Sequence, residues 1–423
     1  MKVVIGETTY TKIKSLSFDP EADVTGDKVP TNQFSVDIQT TDDIAFGEYA
    51  YLYDDLDNLW AKYWIIYAEH MDKQTVRVRA QSALKLLERR ILDPVMFNAE
   101  PVANVIADIF DRLGADSYTL DPSLASATIT GFCPEQSAKN RLIWVCFVIC
   151  AYVKSCFSDK IEIAPIDDTE TLIPINKIYW KPKITYSDYV TRVRVVSYSY
   201  QQGTPATTDT WVTDGTDYYI QSQTSVSLGN PDVPQDALVH EITIEGITIV
   251  NSDNVDDILT HISQYYFKRM QVEFDAINNA EYMPGDKITA YADEDTMFTG
   301  FINQTTFTFG LQAKSTILLT PVEIRPAGKL IIEYVYNSQV IGEQEYTFPV
   351  GYEYEIEMPY HDWIIGEHRY IYRPVDASVT GTMAAGETTV QEPYQVALDL
   401  KDNVLHVVSV DDLTLENGVV TIR

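Results

Sequence analysis

The residues best placed for chemistry come in two acidic clusters: Asp54, Asp55 and Asp57 in GEYAYLYDDLD, and Asp293, Glu294 and Asp295 in GDKITAYADED. Clustered carboxylates are hard oxygen ligands, the kind that hold calcium. Neither cluster completes a calcium loop, which alternates its ligands around a Gly and ends on a distant Glu. Both are therefore read as solvated acidic tips of turns. Other reactive groups are scattered. His240-Glu241 is followed by Ile-Thr-Ile in a strand pattern, so the second histidine of a zinc helix is missing. The remaining histidines, His70, His261, His361, His368 and His406, lie far apart. Three of the four cysteines, Cys146, Cys150 and Cys156, fall in or beside one short apolar segment, and with Cys133 they do not make paired zinc spacing. They read as buried free thiols, poor nucleophiles. There is no GxSxG elbow and no Gly-rich phosphate loop. Paired carboxylates acting as a glycosidase stay open in so acidic a chain, because their separation in space is not written in the sequence. The expectation is no catalytic residue, no metal and no cofactor.

Charge and composition set the partners. The 423 residues carry a formal net charge of −31, which opposes a grip on nucleic acid or an anionic membrane. That length exceeds one core and suggests about three domains. Twenty-eight tyrosines, with many Val, Ile and Thr, favour β structure. The longest apolar run, LIWVCFVICAYV at 142–153, is shorter than the about 20 residues a bilayer needs and reads as a buried helix. No membrane-spanning segment and no signal peptide are expected. The cysteines imply no disulfide framework, consistent with assembly in a reducing cytoplasm.

The acids sit on hairpins. FSVDIQT alternates from Phe34, GEYAYLYDD follows as a strand, and YWIIYAEHMDKQTVRVRAQ makes two strands around HMDKQ. SALKLLERRIL has helical spacing and closes a domain at 1–95. A module at 96–175 reads helix, strand, helix, strand: PVANVIADIFDRLG, ATITGFCP, SAKNRLIWVCFVICAYVKS and KIEIAPID. A third region, 176–325, returns to β. It contains the strand VTRVRVVSYSYQQG, a Thr-rich insertion at 201–238 with a DG turn, the strand pair VHEITIEGITIV and the helix NSDNVDDILTHISQYYFKRM. Ser252 or Asn254 is expected to cap that helix, with Lys268 and Arg269 in its last turn. RPAGKL at 325–330 marks a boundary, and 326–423 reads as a separate all-β module.

The first and third regions share a plan. With Gly47 set on Gly285, Phe34 meets Val272, Val36 meets Phe274, and Asp37 meets Asp275. Asp43 meets Glu281, Glu48 meets Asp286, Tyr53 meets Tyr291, Asp55 meets Asp293, and Asp57 meets Asp295. Downstream, Trp64 and Ile66 lie near Ile302, and Val76 and Val78 near Ile317 and Leu319. Two β domains of one plan, with an α/β module between them, would let three copies present six similar units in a ring.

This order resembles the hub proteins at the tip of phage tails and related contractile injection machines. FSVDIQTTDDIAFGEYAYLYDD with KYWIIYAEHMDKQTVRVRAQSALKLLERRIL resembles that family's first tube-like domain, and PVANVIADIFDRLG through KIEIAPID its inserted module. VHEITIEGITIV through PGDKITAY carries the closest likeness, in Tyr265, Tyr266, Arg269, Glu281, Pro284, Gly285 and Asp286. The likeness spans roughly 1–325, leaving the insertion at 201–238 unmatched. It implies a mainly β fold: two tail-tube-like β-barrel domains, an inserted α/β module and a C-terminal all-β module. It also implies a non-enzymatic homotrimeric ring at a virion tail tip or baseplate, assembled in the host cytoplasm. The ring would join a sixfold tail tube or distal tail protein ring to a threefold tip. It would hold a central spike or tape-measure protein, and pass DNA without specific binding. The last region, KLIIEYVY, FPVGYEYEIEM and VDASVTGTMAAGETTV, resembles mucin-binding-type β modules of bacterial surface proteins. That implies an alternative, a receptor- or glycan-binding adhesin using residues such as Trp363. A tail-associated cell-wall hydrolase is the second alternative.

Overall fold

The computed structural model describes residues 1–336 apart from 167–168, 174–176, 180–181, 205, 207–208, 235–236, 278–281, 292–295 and 310–313. Beyond 336 it describes the strands 339–349, 354–357, 368–374, 397–399, 404–406, 414–416 and 419–422. The fold is mainly β with an inserted α/β module, as the resemblance implies. The first half is built from β1 (Lys2–Ile5), β2 (Thr8–Tyr10), β3 (Ile13–Phe18), β4 (Gln33–Gln39), β5 (Tyr49–Tyr53), β6 (Leu59–Asp72) and β7 (Thr75–Gln81). They pair in the order β3-β4-β7-β6-β5-β1-β2. Alternation decides which face is inside: Phe34, Val36 and Ile38 of β4 are buried, while the residues between them are not. These three close a core with Val3, Phe18, Leu52, Tyr63, Ile65 and Val78.

The module follows, with α1 (Leu84–Leu87), β8 (Ile91–Leu92), β9 (Val95–Pro101), α2 (Val102–Phe110), β10 (Tyr118–Leu120), β11 (Thr128–Cys133), β12 (Gln136–Ser137), α3 (Ala138–Val148), β13 (Ala151–Lys154) and β14 (Ile161–Pro165). Two expectations change here. SALKLLERRIL forms only the single turn of α1, because Ile91 and Leu92 pair with β12 instead of continuing a helix. The apolar run 142–153 is not one helix. Ser137 accepts the Asn140 N–H and starts α3, which ends at Val148; Cys150 turns through the left-handed region at φ +52°, and Ala151–Lys154 becomes a strand on β14.

The second half begins with β15 (Glu170–Ile173) and β16 (Lys183–Tyr186). The chain then leaves it for β17 (Arg192–Gln202), β18 (Trp211–Thr213), β19 (Tyr218–Gly229), β20 (Glu241–Ile244) and α4 (Val255–Tyr266). These pack with the module: Val193 and Val195 of β17 and Ile258, Leu259 and Ile262 of α4 share one core with Ile106, Ile109, Leu142 and Val145. Residues 247–250, expected as a strand, form a turn that buries Ile249 and Val250 in that core. Asn254 precedes α4 but accepts the Asn251 N–H rather than capping the helix. Lys268 and Arg269 lie past its end. The half is completed by β21 (Met270–Ile277), β22 (Lys287–Tyr291), β23 (Thr296–Thr308) and β24 (Lys314–Tyr336).

The two halves repeat each other strand by strand. β16-β21-β24-β23, with β22 on β23 and β15 on β22, matches β3-β4-β7-β6-β5-β1. The register repeats as well: Phe34 faces Ala80 and Val36 faces Val78, while Val272 faces Leu319 and Phe274 faces Ile317. Downstream the sequence alignment needs one adjustment. It shifts by two residues: Ile317 corresponds to Val78 rather than Val76, and Leu319 to Ala80 rather than Val78.

The chain divides into two compact units, Met1–Ile288 with Gly300–Glu323, and Thr289–Thr299 with Ile324–Arg423. RPAGKL lies inside β24, which changes partners around it: β21 up to Leu319, then Gln339–Pro349 from Ala327 onward. In the second unit, Leu330–Tyr336 pairs antiparallel with both Gln339–Pro349 and His368–Pro374. Val419–Ile422 pairs with Tyr354–Glu357 and Thr414–Glu416.

Candidate assembly site

Each half carries the same backbone clamp at its repeated glycine. Gly47 donates its N–H to the Ile65 carbonyl at 3.2 Å, and the Ile65 N–H returns to the Glu48 carbonyl at 2.9 Å. Gly285 donates to Ile302 at 2.7 Å, and Ile302 returns to Asp286 at 2.9 Å. Both glycines are left-handed, at φ +89° and +96°, the conformation that favours Gly there. The downstream partner of Ile302 is thus Ile65, not Trp64 or Ile66.

At the tip of the first hairpin the acids act locally. Asp54 accepts the N–H groups of Leu56 and Asn58, both at 2.8 Å, and the Asn58 side-chain amide at 2.9 Å. Partial burial works against its charge, but these bonds outweigh it and hold the carboxyl below its ordinary range. Asp57 takes φ +68° and ion-pairs with Lys2 at 2.7 Å, while Asp55 meets the Met1 amino group. The tip is therefore a self-satisfied turn. Asp293, Glu294 and Asp295 lie outside the described residues, as do Glu281 and Trp363. No cluster of three or more metal-ligating side chains occurs among the described residues.

What surrounds the two clamps differs. At Gly47 a Cβ would meet only Trp64, at 3.8 Å. At Gly285 a Cβ would fall 2.2 Å from the Tyr152 ring. Beside it Asp286 ion-pairs with Lys154 at 2.9 Å. Burial opposes the Lys154 charge, but Tyr152 and Asp286 outweigh it and push its pKa up. The second hairpin is thereby docked on β13 of the module, whereas the first meets the segment after β13, where the Phe157 N–H donates to the Trp60 carbonyl at 2.8 Å. Sequence reading missed Tyr152 and Lys154 because it placed them in a helix.

The halves meet along one antiparallel joint. Phe18 stands opposite Phe307, Ala22 donates to Asn303 at 3.0 Å, and Thr305 donates to Pro20 at 3.1 Å. Phe18 and Phe307 stack with centroids 5.9 Å apart, and Trp60 closes on Phe307 at 4.6 Å.

The loop between β3 and β4 straps the first half to α4. Thr25 Oγ1 lies between Asp23 and Asp27, at 2.7 and 3.0 Å, and the Tyr266 hydroxyl donates to Asp27 at 2.9 Å. His261 Nε2 is 3.2 Å from the Val24 carbonyl. Gly26, at φ +73°, comes so near the Ala151 carbonyl that a Cβ would lie 2.9 Å from it. Burial, and then the neighbouring Asp27, push the Asp23 carboxyl up to about 7, so the pair holds a proton on Asp23. The turn sequence DVTGD was the available signal for this strap.

The remaining reactive groups are quiet. Burial pushes the Cys146 and Cys156 thiols up to about 12 and Cys150 up to about 11. His240 immediately precedes β20, its backbone exchanging hydrogen bonds with the Thr191 hydroxyl at 2.9 and 3.0 Å.

No family model matches the sequence, and no curated protein matches it. Solved structures do match in fold. The tail protein from Neisseria meningitidis MC58 superposes with a TM-score of 0.55 at 10% identity, over 75% of this chain and 95% of that one. The 43 kDa tail protein of prophage MuSo2 from Shewanella oneidensis gives 0.53 at 8%, over 75% and 97%. The prophage tail protein gp18 from Listeria monocytogenes EGD-e gives 0.51 at 10%, over 76% and 94%. The chain therefore has the fold of phage tail proteins.

Proposed function

We propose that the chain is a structural, non-enzymatic component of a phage-type tail, and within it the hub at the tip or baseplate. Three copies form a ring that adapts a sixfold tail tube to a threefold tip. The division into tube-like halves at 1–95 and 176–325, a module at 96–175 and a C-terminal module at 326–423 belongs to this reading. One observation carries it: two halves of one strand order and register in a single chain, so that three chains supply six like units. The fold shared with the three tail proteins supports it. The partners are the tail tube or distal tail protein ring on one face and a central spike or tape-measure protein on the other. The net charge of −31 fits a channel through which DNA slides without sticking, because like charges repel. The test is the mass of the purified full-length protein in solution. A species of three chains is expected, and a monomer at every concentration would reject the ring.

A further inference from the structure

The two edges that meet in the joint inside the chain each have a counterpart elsewhere in the same chain. β16 ends the sheet: it pairs with β21, and no strand follows on its other edge among the described residues. Its counterpart in the first half, β3, has that same edge covered by β23. The consequence is visible in burial. Phe18, which faces Phe34, is fully buried, whereas Ile184, which faces Val272, is 40% exposed and Tyr186 is 60% exposed.

The complementary edge is β6. Its backbone bonding toward β5 stops at Ile65, and among the described residues its outer stretch, 66–70, pairs as a strand with β7 alone, His70 Nε2 lying 3.0 Å from the Asp43 carboxylate. The matching stretch of β23 is the one that β3 covers. The match can be fixed residue by residue. β6 has a bulge after Ile65, so its inward positions run Tyr63, Ile65, Ala68. β23 shows the same skip, with Ile302, Thr305 and Phe307 buried. Ile302 corresponds to Ile65 through the glycine clamp, so Thr305 corresponds to Ala68 and Phe307 to His70. Phe307 is buried under β3, while His70, Ile66 and Met71 stand exposed.

We propose that β16 of one copy pairs antiparallel with residues 66–70 of β6 in the next, Ile184 opposite His70, repeating between chains the joint that Phe18 and Phe307 make within one. This rests on the ring reading above and names its contact. The partner is a second copy of the same chain, since each copy offers both edges and the contact is head to tail. Three joints within chains and three between them then alternate around a closed ring with no free edge. Tyr186 is placed opposite Ala68 and Thr185 opposite Glu69. In the internal joint the flanking pairs Pro20–Thr305 and Ala22–Asn303 are the hydrogen-bonded ones. Thr185–Glu69 therefore falls at a non-hydrogen-bonded site, where Cα atoms approach to about 4.5 Å, within disulfide range.

The experiment is a full-length chain carrying Thr185→Cys and Glu69→Cys, oxidised mildly and compared with each single variant. Covalent species of up to three chains are expected from the double variant alone. A three-chain mass with no cross-link would overturn this joint and leave the ring standing, whereas a monomer would overturn both. A second variant guards against poor folding of the first. Ile184→Asp is expected to shift the protein from three chains to one with its far-UV circular-dichroism spectrum unchanged, while Leu228→Asp, on the exposed face of β19, keeps three chains. An Ile184→Asp protein that still assembles would reject the contact.

Discussion

Lys154 and Asp286 meet at 2.9 Å across 132 residues of chain, both side chains largely out of water. Lys154 closes the strand that follows the module's long helix, and Asp286 follows the repeated glycine. The pair thus marks where the second half is held by the module. Its counterpart in the first half, Glu48, pairs with no lysine among the described residues; its carboxylate lies 3.5 Å from where a Cβ on Gly6 would stand.

Removing one partner is therefore expected to matter on one side of the repeat only. Asp286→Asn should cost about 2 kcal/mol, in the range for a hydrogen bond to a charged group that is left partly unpaired. Glu48→Gln should stay within about 0.5 kcal/mol, as for an exposed change. Urea denaturation of the two variants measures both. Equal losses would show that the lysine contact does not hold the hairpin.

The glycines themselves give a sharper contrast. Gly47→Ala meets only backbone strain, about 1 kcal/mol for a residue forced to positive φ. Gly285→Ala meets that strain and the Tyr152 ring, whose Cε2 would lie 2.2 Å from the new Cβ. A larger loss in melting temperature is expected at Gly285. Tyr152→Ala should narrow the gap between Gly285→Ala and its own parent, because the ring is what the methyl strikes. If the two alanine variants lose equally, the docking of the second hairpin is wrong.

The repeat was legible because its signals are local. A glycine at positive φ, an acid after it and strict alternation are all demanded by the hairpin itself, so Gly47 and Gly285 could be aligned by eye. The same locality explains the errors. Alternation cannot show the extra residue at Trp60, so in the sequence Trp64 and Ile66 fall near Ile302 although Ile65 holds that place. LIWVCFVICAYV is apolar throughout, and a buried helix and a buried strand look alike in such a run. Only the turn at Cys150 separates them. The sharing of one core by α4, β17 and the module depends on residues tens to more than 100 positions apart, which no periodicity records. The strap escaped notice because DVTGD reads as an ordinary polar turn, and its meaning comes from Tyr266, over 200 residues away.

That strap makes stability depend on pH in a definite direction. Asp23 is raised to about 7 in the folded chain, chiefly by burial and then by Asp27 beside it. An unfolded Asp titrates near about 3.9. Between those values the folded chain keeps a proton that the unfolded chain has released, so stability falls as pH rises from about 4 to about 7. Lys28, Tyr266 and His261 face the same loop, and His261, its pKa lowered by burial, contributes the opposite slope. Comparing Asp23→Asn with the parent removes the His261 contribution from the difference. The variant should match the parent near pH 5 and exceed it near pH 8 by on the order of 2 kcal/mol, somewhat less than the nominal linkage because the site is partly solvated. Denaturant midpoints at the two pH values measure that gap. A difference that stays constant from pH 5 to pH 8 would mean that Asp23 holds no proton there and that Thr25 and Tyr266 alone keep the loop on α4.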